Sequence, residues 1–418
     1  MDTNQKLNIW LIQTSEPILL DSSVKKMRSG FLVDKLIKKG HNILWWASAF
    51  DHFKKDWVFI EDKDVELEKN LKIKVLKGIG YRKNISISRF IDYRIIARKF
   101  RKIAPTMPKP DIILANMPHD IVYEAVMFAK KNNIPVIIDI RDYWPDVFLN
   151  VVPAKLRLFA KILLFKDFQM IKKSMRMANG LIAVTNAFLE WGLKYANREK
   201  TWRDRVFPHS YKKNKVQEDT EYIERFKDLF SSLKEKFIVL FVGTISKTYH
   251  NPFILLKAAE KLKANKNIHF IIAGDGELFK ELNIASKKFT NITLTGWLNQ
   301  DEIEFWLQKA KVGVAPVAEY IDFPTNKVYT YISAGLPVIS AFQGDLKEII
   351  QKYEIGFYYP PNDIDAFVDY IQKLYDDPTL YKKMSENAQR VFYKMFDADK
   401  IYEEYAEHIE TIAENYCG

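Results

Sequence analysis

The sequence predicts an α/β protein of two domains, each built on a parallel sheet. Three observations lead to this prediction: short apolar segments alternate with amphipathic segments along the chain, the alternation pauses once in a polar, lysine-rich stretch at 211–220, and glycines follow several apolar segments of the second half. Strands that alternate with helices favour parallel sheets covered by helices on both faces. The 418 residues are enough for two such domains.

The first half, residues 1–210, is predicted to form the N-terminal domain. Strands are expected at 7–13, 42–47, 73–76, 111–115, 136–139 and 180–184, and helices at 27–39 and 121–132. The opening, MDTNQKLNIWLIQTS, has an acidic second residue and only a short apolar run. We therefore expect a first strand there and not a signal peptide.

Residues 221–396 are predicted to form the C-terminal domain, in which the same alternation restarts. Strands are expected at 237–242, 269–273, 292–295, 312–316, 337–340 and 356–359, and helices at 252–263, 278–288, 300–309, 327–334, 346–352 and 364–374. The final segment, 397–418, has a polar helical pattern with no strand after it. It is therefore predicted to be an appendage to the two domains.

The charge is unevenly distributed. The net charge is +11, but residues 1–220 hold 41 Lys and Arg against 24 Asp and Glu, and the remainder is net acidic. This asymmetry predicts that the first domain faces an anionic partner. No nucleic-acid recognition module is visible, so a nucleic acid is not the expected partner. The single cysteine, Cys417, and the lack of an apolar run of about 20 residues predict a cytoplasmic protein.

Several signatures of cofactor and metal chemistry are missing from the sequence. It contains no G-x-G-x-x-G, no P-loop, no G-x-S-x-G and no H-E-x-x-H. A nicotinamide cofactor is therefore not supported, and the seven histidines lack the spacing of a zinc site. Asp62 and Asp64 have a spacing that can hold a metal, but they lie in a charged run typical of a solvated surface.

Four predicted strand ends in the second half carry the residues of a phosphate site. They are VGTISKTYHNP at 242–252, IIAGDGELF at 271–279, LTGWLN at 294–299 and APVAEYIDFPTNK at 315–327. Open α/β sheets bind ligands at the carboxyl ends of their strands. Glycine lets a ligand approach the backbone, and Lys247, Lys327 and the helix start at Asn326 supply positive potential. Together they predict a nucleotide diphosphate site. Taken alone, each glycine is more often part of a turn, and the segment 324–335 is an ordinary capped helix.

The same segments resemble a known family. VGTISK, FIIAGDGEL, LTGWLNQDEI, VGVAPV, PTNKVYTYISAGLPVIS and IGFYYPPNDIDAF are similar, in order and spacing, to segments of group-1 (family 4) retaining glycosyltransferases of the GT-B fold. In the first half, GHNILWWASAFDHFKK and PVIIDIRDYWPDVF resemble members that build bacterial surface polysaccharides and glycans. The resemblance implies two Rossmann-like domains facing a central cleft, with the C-terminal helix crossing back to the first domain.

The resemblance also implies a function. A nucleotide-sugar, UDP- or GDP-linked, is expected to bind the second domain as co-substrate, without a cofactor or a protein-bound metal. A hexosyl group is then expected to pass with retention to a lipid-linked or glycan acceptor on the first domain, at the cytoplasmic face of the membrane, in surface polysaccharide or glycan assembly. Two alternatives stay open: a non-catalytic nucleotide-sugar-binding subunit, and a sugar-nucleotide epimerase of the same fold.

The resemblance assigns roles to individual residues in three sets. The residues expected at the reacting groups are Lys247, Lys327, Asp322, Arg141 and Asp142. Those expected around the donor are Gly243, Thr244, Gly274, Asp275, Gly276, Gly296, Trp297, Leu298, Thr325, Asn326, Val328 and Thr330. Those expected on the acceptor side are Arg28, Ser22, Ser23 and His119. The two lysines and the helix dipole are expected to neutralise the charge of the departing nucleoside diphosphate.

The chain departs from the family pattern at three places. Where the family usually carries two acidic residues, this chain has Asp322 and Thr330, and threonine offers the donor ribose a hydroxyl without a charge-assisted bond. The first loop has Ser22 and Ser23 where many relatives have glycines. The segment 141–142, Arg-Asp, stands where many relatives place a His-Asp pair, and a structural salt bridge at a strand end is the alternative interpretation.

Residues 153–177, PAKLRLFAKILLFKDFQMIKKSMRM, predict an amphipathic helix. One arc holds Leu156, Phe159, Leu163, Leu164, Met170 and Ile171, whereas Leu158, Ile162, Phe165 and Phe168 fall among the cations. Apolar residues among cations suit a helix that lies on an anionic membrane surface. The alternative is a helix packed on its own sheet with a hydrated basic side. The first interpretation predicts peripheral association with the inner membrane.

Overall fold

The computed structural model describes residues 6–21, 24, 26–83, 86–117, 119–213, 221–246, 252–317, 319 and 326–416, without the side chains of 119, 150, 151, 221–224 and 326. The chain divides into two compact units. The first contains residues 1–208 and 400–418, and the second contains residues 209–399. In the described part of the chain, no helix has both the length and the apolar character needed to cross a membrane.

The first unit is built on an eight-stranded sheet. The strands of the unit are β1 (Asn8–Ile12), β2 (Asn42–Ser48), β3 (Phe50–Asp51), β4 (Asp56–Trp57), β5 (Lys63–Glu68), β6 (Leu71–Leu76), β7 (Ile112–Asn116), β8 (Val136–Ile140), β9 (Gly180–Ala183) and β10 (Arg205–Val206). The sheet order is β10-β9-β8-β7-β1-β2-β6-β5, and β3 and β4 form a separate pair. All neighbours in the large sheet are parallel except β5 and β6.

Helices cover this sheet. They are α1 (Arg28–Lys38), α2 (Ile87–Ile103), α3 (His119–Lys131), α4 (Val147–Val151), α5 (Arg157–Leu163), α6 (Phe165–Met177) and α7 (Asn186–Ala196), with short 3-10 turns at Ala104–Thr106 and Ala154–Leu156. Large aromatic side chains fill the space between sheet and helices: Trp46 meets Trp10 and Phe100 edge to face, with ring centroids 5.2 and 4.7 Å away. Such pairs add to the hydrophobic stabilisation of the core.

The second unit is built on six parallel strands, in the order β13-β12-β11-β14-β15-β16. The strands are β11 (Phe237–Val242), β12 (Ile268–Ala273), β13 (Ile292–Gly296), β14 (Val312–Ala315), β15 (Val338–Ser340) and β16 (Gly356–Tyr358). The helices are α8 (Glu221–Leu233), α9 (Phe253–Lys261), α10 (Phe279–Ser286), α11 (Gln300–Lys309), α12 (Asn326–Ser333), α13 (Asp345–Lys352), α14 (Ile364–Asp376) and α15 (Pro378–Met395). A capping box between Asn299 and Glu302 fixes the start of α11.

The last helix, α16 (Ala398–Glu414), returns to the first unit, to which residues 400–418 belong. Tyr405 stacks on Phe207 with ring centroids 4.5 Å apart, and Glu410 lies 2.8 Å from the ring of His41. These contacts tie the C-terminal helix to residues from the beginning and the end of the N-terminal segment.

The predicted fold class, two Rossmann-like domains with parallel sheets, is confirmed. The predicted single helix at 153–177 is wrong, because the segment forms two helices, α5 and α6, that meet at Leu164. The edge strand β5 was not predicted, because its alternating charges look like a solvated loop. There, Asp62 pairs with Lys99 and Asp64 with Lys74, at 2.7 Å each.

Candidate functional site

The carboxyl ends of β11, β12 and β13 are joined by backbone hydrogen bonds. The N–H of Gly243 donates to the carbonyl of Ala273, and the N–H of Gly274 donates to the carbonyl of Gly296, both at 2.8 Å. The three strand-end loops that the sequence singled out therefore form one connected surface at this edge of the sheet.

Two glycines of these loops are required by their neighbours. Gly274 and Gly276 have φ angles of +147° and +152°, which L side chains rarely adopt. A Cβ atom on Gly274 would overlap the carbonyl oxygen of Gly243, and one on Gly276 would overlap the carbonyl oxygen of Ile245. The sequence predicted that these glycines let a ligand approach the backbone. In the structure, the space beside each of them is occupied by the backbone of the loop that follows β11.

Lys327, in the first turn of α12, reaches beneath the end of β11. Its ammonium is buried, and Nζ lies 4.2 Å from the centroid of the Phe241 ring. A Cβ atom on Gly243 would overlap this ammonium, so glycine at 243 is what allows the lysine to sit there. Burial lowers the pKa of Lys327 well below its usual value. The loops thus cover an amino group whose charged form a bound anion would stabilise.

Tyr331 fixes α12 to the sheet. Its hydroxyl accepts a hydrogen bond from the N–H of Val242 at 2.8 Å and donates one to the carbonyl of Val314 at 3.2 Å. The ring is fully buried. This side chain therefore connects the ends of β11 and β14 and holds the helix that carries Lys327 in register with them.

The other predicted residues of α12 are also largely buried. Val328 is fully buried, Thr330 is 9% exposed, and Tyr329 packs on Phe396 with ring centroids 4.6 Å apart. Tyr329 and Tyr331 both lie in the packed interior of the unit. The role of Thr330 stays a prediction.

The remaining described candidates for donor binding lie on the strand-end loops. Thr244 and Asp275 are exposed, and the Oδ1 of Asp275 accepts a hydrogen bond from the N–H of Gly276 at 2.7 Å. Trp297 follows Gly296 and is 68% exposed, which leaves its ring available to a ligand, whereas the neighbouring Leu298 is buried. Exposed polar and aromatic groups are thus present on the loops that follow β11, β12 and β13.

Some predicted residues lie outside the part of the chain that the structure describes. They are Lys247, Asp322, Thr325, Ser22 and Ser23. Asn326 begins α12 and His119 begins α3, but their side chains are not described. Their roles stay predictions.

In the first unit, Arg28 and Arg141 share the buried carboxylate of Asp139. Arg28 Nε lies 3.0 Å from Asp139 Oδ2, and Arg141 Nη2 lies 2.8 Å from the same oxygen. Burial alone would raise the pKa of Asp139, but the charges of Arg141 and Arg28 lower it below its usual value. This arrangement matches the structural salt bridge that was the alternative interpretation of Arg141.

Both arginines make further bonds within the unit. Arg28 is 5% exposed and donates to the carbonyls of Phe207 and Pro208, at 2.7 and 3.2 Å. Arg141 donates to the carboxylate of Glu16 and to the hydroxyl of Ser29. In this conformation the two guanidinium groups hold the first unit together, and contact with an acceptor stays a prediction for both.

Asp142 differs from its neighbour Arg141. Its carboxylate accepts hydrogen bonds from the Tyr143 N–H and the Trp144 Nε1, at 2.8 Å each. Burial raises its pKa, while these hydrogen bonds and the charge of Arg89 act in the opposite direction. A carboxyl group with a raised pKa that follows a strand end is a candidate for proton exchange with a bound hydroxyl.

Three residues that matter to these sites were not predicted. Phe241 looks like an ordinary strand residue in the sequence, and only its contact with Lys327 gives it a role. Glu16 lies in a loop without a motif. Asp139 could have been found, because a carboxylate inside the apolar segment PVIIDI must be paired when that strand is buried.

Within the described residues, no three His, Cys, Asp or Glu side chains come together in a group that could hold a metal ion.

The fold is that of known glycosyltransferase structures. The crystal structure of HepE from Anabaena in complex with UDP matches with a TM-score of 0.67 at 16% identity, over 97% of this chain and 100% of that one. Two Rossmann-like units with parallel sheets, joined in this order, define the chain as a GT-B protein.

Within that class, residues 224–391 of the second unit match the family model "Glycosyl transferases group 1". The resemblance to group-1 glycosyltransferases seen in the sequence is thereby confirmed. O-antigen chain mannosyltransferase C of Escherichia coli is 25% identical over 221 residues, which is 52% of this chain and 57% of that protein. A Campylobacter jejuni N-acetylgalactosaminyltransferase, named for an undecaprenol-diphosphate-linked acceptor, is 25% identical over 185 residues, which is 44% of this chain and 50% of that protein. The chain thus spans about half the length of these curated relatives.

Proposed function

We propose that this protein is a glycosyltransferase that moves a hexosyl group with retention from a nucleotide-sugar to a lipid-linked or glycan acceptor. The observation that carries the proposal is the position of Lys327: its ammonium is buried beneath the glycine loops of the unit that matches the family. A fixed cation at the carboxyl ends of the strands stabilises the negative charge that concentrates on a leaving nucleoside diphosphate.

The donor is proposed to be a UDP- or GDP-linked sugar, used as a co-substrate without a cofactor. The HepE structure holds UDP, which supports a donor that carries a nucleoside diphosphate. The exposed ring of Trp297 and the hydroxyls of Thr244 and Thr330 are the described groups proposed to contact it. The leaving group would lie near Lys327, with Lys247 as a second cation.

The acceptor is proposed to belong to surface polysaccharide or glycan assembly. The Escherichia coli relative is named for the O-antigen chain, and the Campylobacter jejuni relative is named for a glycan linked to undecaprenol diphosphate. Both names support a saccharide acceptor, and the second supports a lipid-linked one.

Association with the cytoplasmic membrane face is supported by α5. The apolar side chains of this region are more than half exposed, namely Leu156, Leu158, Phe159, Ile162, Leu163 and Phe165. The apolar arc predicted for 153–177 is therefore not buried along its whole length. Helix α6 buries Ile171 and Met175, whereas α5 buries none of its residues. Lys155, Arg157, Lys161 and Lys166 are exposed among these residues. Exposed apolar groups among cations fit an anionic bilayer surface, so we propose that the protein lies peripherally on the inner membrane.

The test of the activity is a donor screen followed by turnover. Purified protein is heated with UDP, GDP and their sugars, and the matching donor is expected to raise the melting temperature because ligand binding stabilises the folded state. That donor is then incubated with bacterial membranes, and transfer of labelled sugar is measured. A Lys327→Met variant is expected to lose transfer, whereas Lys257→Met, an exposed lysine of the same unit, is expected to keep it.

The outcomes separate the alternatives. Donor binding without transfer favours the non-catalytic subunit, and conversion of the donor sugar without any acceptor favours the epimerase. Failure of every nucleotide-sugar to bind contradicts all three.

A further inference from the structure

A second site lies in the first unit, at the carboxyl ends of β2 and β6. A pocket of about 510 Å³ opens there, between the loop that follows β2 and the loop that follows β6. Its walls carry three aromatic rings and three cations, which are Phe50, Trp57, Tyr81, Lys55, Arg82 and Lys83. A concave surface with flat rings and several cations is typical of a ligand site and not of a solvated loop.

Positive charge is concentrated at the ring of Tyr81. The ammonium of Lys55 lies 4.8 Å from the ring centroid, and the guanidinium of Arg89 lies 5.5 Å from it. Burial, and then the charge of Arg89, lower the pKa of Lys55 to about 8 and that of His52 to about 3. Burial is the larger cause of both shifts, and the charge of Arg89 adds to it.

The two nearby carboxylates are held by the backbone. Asp51 accepts the N–H groups of Phe53 and Lys54, at 2.7 and 2.9 Å. Asp92 accepts the N–H groups of Ile79 and Gly80, at 2.7 and 2.8 Å. Each therefore shapes the loops that form the pocket, and the mouth of the pocket keeps the exposed cations of residues 82 and 83.

The pocket is connected to the acceptor-side candidate Asp142. The guanidinium of Arg89 lies 4.8 Å from the centroid of the Trp144 ring, and Trp144 Nε1 donates to the carboxylate of Asp142 at 2.8 Å. Asp142 follows β8, and the pocket follows β2 and β6, so both lie at the carboxyl edge of the same parallel sheet.

We propose that this pocket binds an acidic saccharide, with the sugar ring against Trp57 and its phosphate or carboxylate against Lys55, Arg82 and Lys83. Aromatic rings stack on the apolar faces of sugars, and cations make short charge-assisted bonds to phosphate and carboxylate oxygens. The inference rests on the proposed transferase function, for which it names the acceptor as acidic.

The test is calorimetric titration of the whole protein without any donor. The probes are glucose 1-phosphate, glucuronate, glucose and inorganic phosphate. We expect at least one acidic sugar to bind about tenfold or more tightly than glucose and than inorganic phosphate, because ring and anion contribute together. Preference for glucose 1-phosphate assigns the anion as phosphate, and preference for glucuronate assigns it as carboxylate.

A charge-matched pair of variants locates the binding. Arg82→Ala with Lys83→Ala removes two exposed cations at the pocket and is expected to weaken binding about tenfold or more. Lys102→Ala with Lys109→Ala removes two exposed cations elsewhere in the same unit and is expected to change nothing. Equal loss in both double variants overturns the proposal, because binding would then follow net charge.

Two further results would also overturn it. One is binding of glucose as tight as that of the acidic sugars. The other is binding to phosphatidylglycerol vesicles that depends on residues 82 and 83 while no acidic sugar binds, which would make the patch a lipid contact. Because no donor is present, a protein that transfers sugar but binds no acidic saccharide fails this inference alone, whereas one that binds no nucleotide-sugar fails the proposed function.

Discussion

The ammonium of Lys327 lies over the ring of Phe241, with Nζ 4.2 Å from the ring centroid, in the space that a side chain on residue 243 would fill. The negative face of the ring stabilises the cation, but burial still lowers the pKa of Lys327 well below its usual value. The second unit therefore holds an amino group whose charged form is disfavoured in the empty site and would be stabilised by a diphosphate.

The first prediction concerns this lysine. Lys327→Met keeps an unbranched apolar chain and removes the charge. We therefore expect a higher free energy of unfolding for the unliganded protein and donor binding that is weaker by about tenfold or more. Because the pKa is lower in the folded state, the unfolded state binds more protons, and the stability of the wild type rises with pH; this slope should shrink in the variant. Urea unfolding at several pH values measures it. Unchanged donor binding would remove Lys327 from the site.

The second prediction concerns the buried carboxylate of Asp139. Asp139→Asn leaves Arg28 and Arg141 without their shared charge and is expected to lower the free energy of unfolding by about 3–5 kcal/mol. Asp34→Asn, which breaks an exposed pair with Lys26, is expected to cost less than about 1 kcal/mol. Urea titration at neutral pH measures both.

The contribution of Asp139 to the free energy of unfolding depends on pH. The pKa of Asp139 is lowered in the fold, so its contribution is present above the unfolded-state pKa and is lost as the pH falls through the lower folded-state value. Acid unfolding of wild type is thus expected to include a proton uptake that Asp139→Asn lacks. Equal acid unfolding curves would show that the carboxylate does not stabilise the unit.

The third prediction concerns Thr330. If its hydroxyl contacts the donor, Thr330→Val keeps the shape and lowers donor affinity about threefold to tenfold, whereas Thr330→Ser keeps the hydroxyl and most of the affinity. Calorimetric titration with the donor found in the screen measures both. Equal affinity of the Val variant and the wild type would place the ribose away from α12.

The patterns in the sequence were sufficient for most of the fold. Buried parallel strands such as 237–242 and 268–273 are continuous apolar runs, and glycine marks where the chain leaves the sheet. Prediction failed where polar residues hide an element, as in β5, or where one periodic segment is two helices, as at Leu164. In both cases the packing of neighbouring elements, and not the local pattern, decides the structure.

The candidate site was predicted less completely. Spacing and residue type were enough to single out Lys327 and the glycines at 243, 274 and 276. They were not enough to show that a carbonyl oxygen occupies the space beside Gly274, or that Arg28 binds a buried carboxylate. Those are contacts between residues far apart in the chain, which a single sequence does not display.

The fourth prediction concerns the membrane. Leu158→Ser with Phe159→Ser is expected to abolish most binding to phosphatidylglycerol vesicles, because both side chains are more than 60% exposed on α5. Ile60→Ser with Ile87→Ser changes two equally exposed residues elsewhere in the unit and should leave binding intact. Sedimentation at rising salt measures it, and binding should fall as the cations are screened. Binding that is equal to neutral and anionic vesicles would contradict the role of the cations.

The fifth prediction gives the acidic-saccharide pocket a pH profile. The pKa of Lys55 is lowered to about 8, so its charge, and with it the affinity for an acidic sugar, should fall as the pH rises through that value. Lys55→Arg keeps the charge, because arginine stays protonated, and should flatten the profile between pH values of about 7 and 9. Titration calorimetry across this range measures it. A flat wild-type profile would separate Lys55 from the anion.

The return of α16 also has a consequence for the order in which the chain becomes folded. The second unit is one continuous segment, 209–399, and all of it leaves the ribosome before residues 400–414 are available to the first unit. The hydrophobic surface of Phe207, which Tyr405 covers, therefore waits through the synthesis of an entire further domain. Although it is made first, the N-terminal unit is completed last, and during translation it is the half of the protein with the longer exposure to chaperones and aggregation.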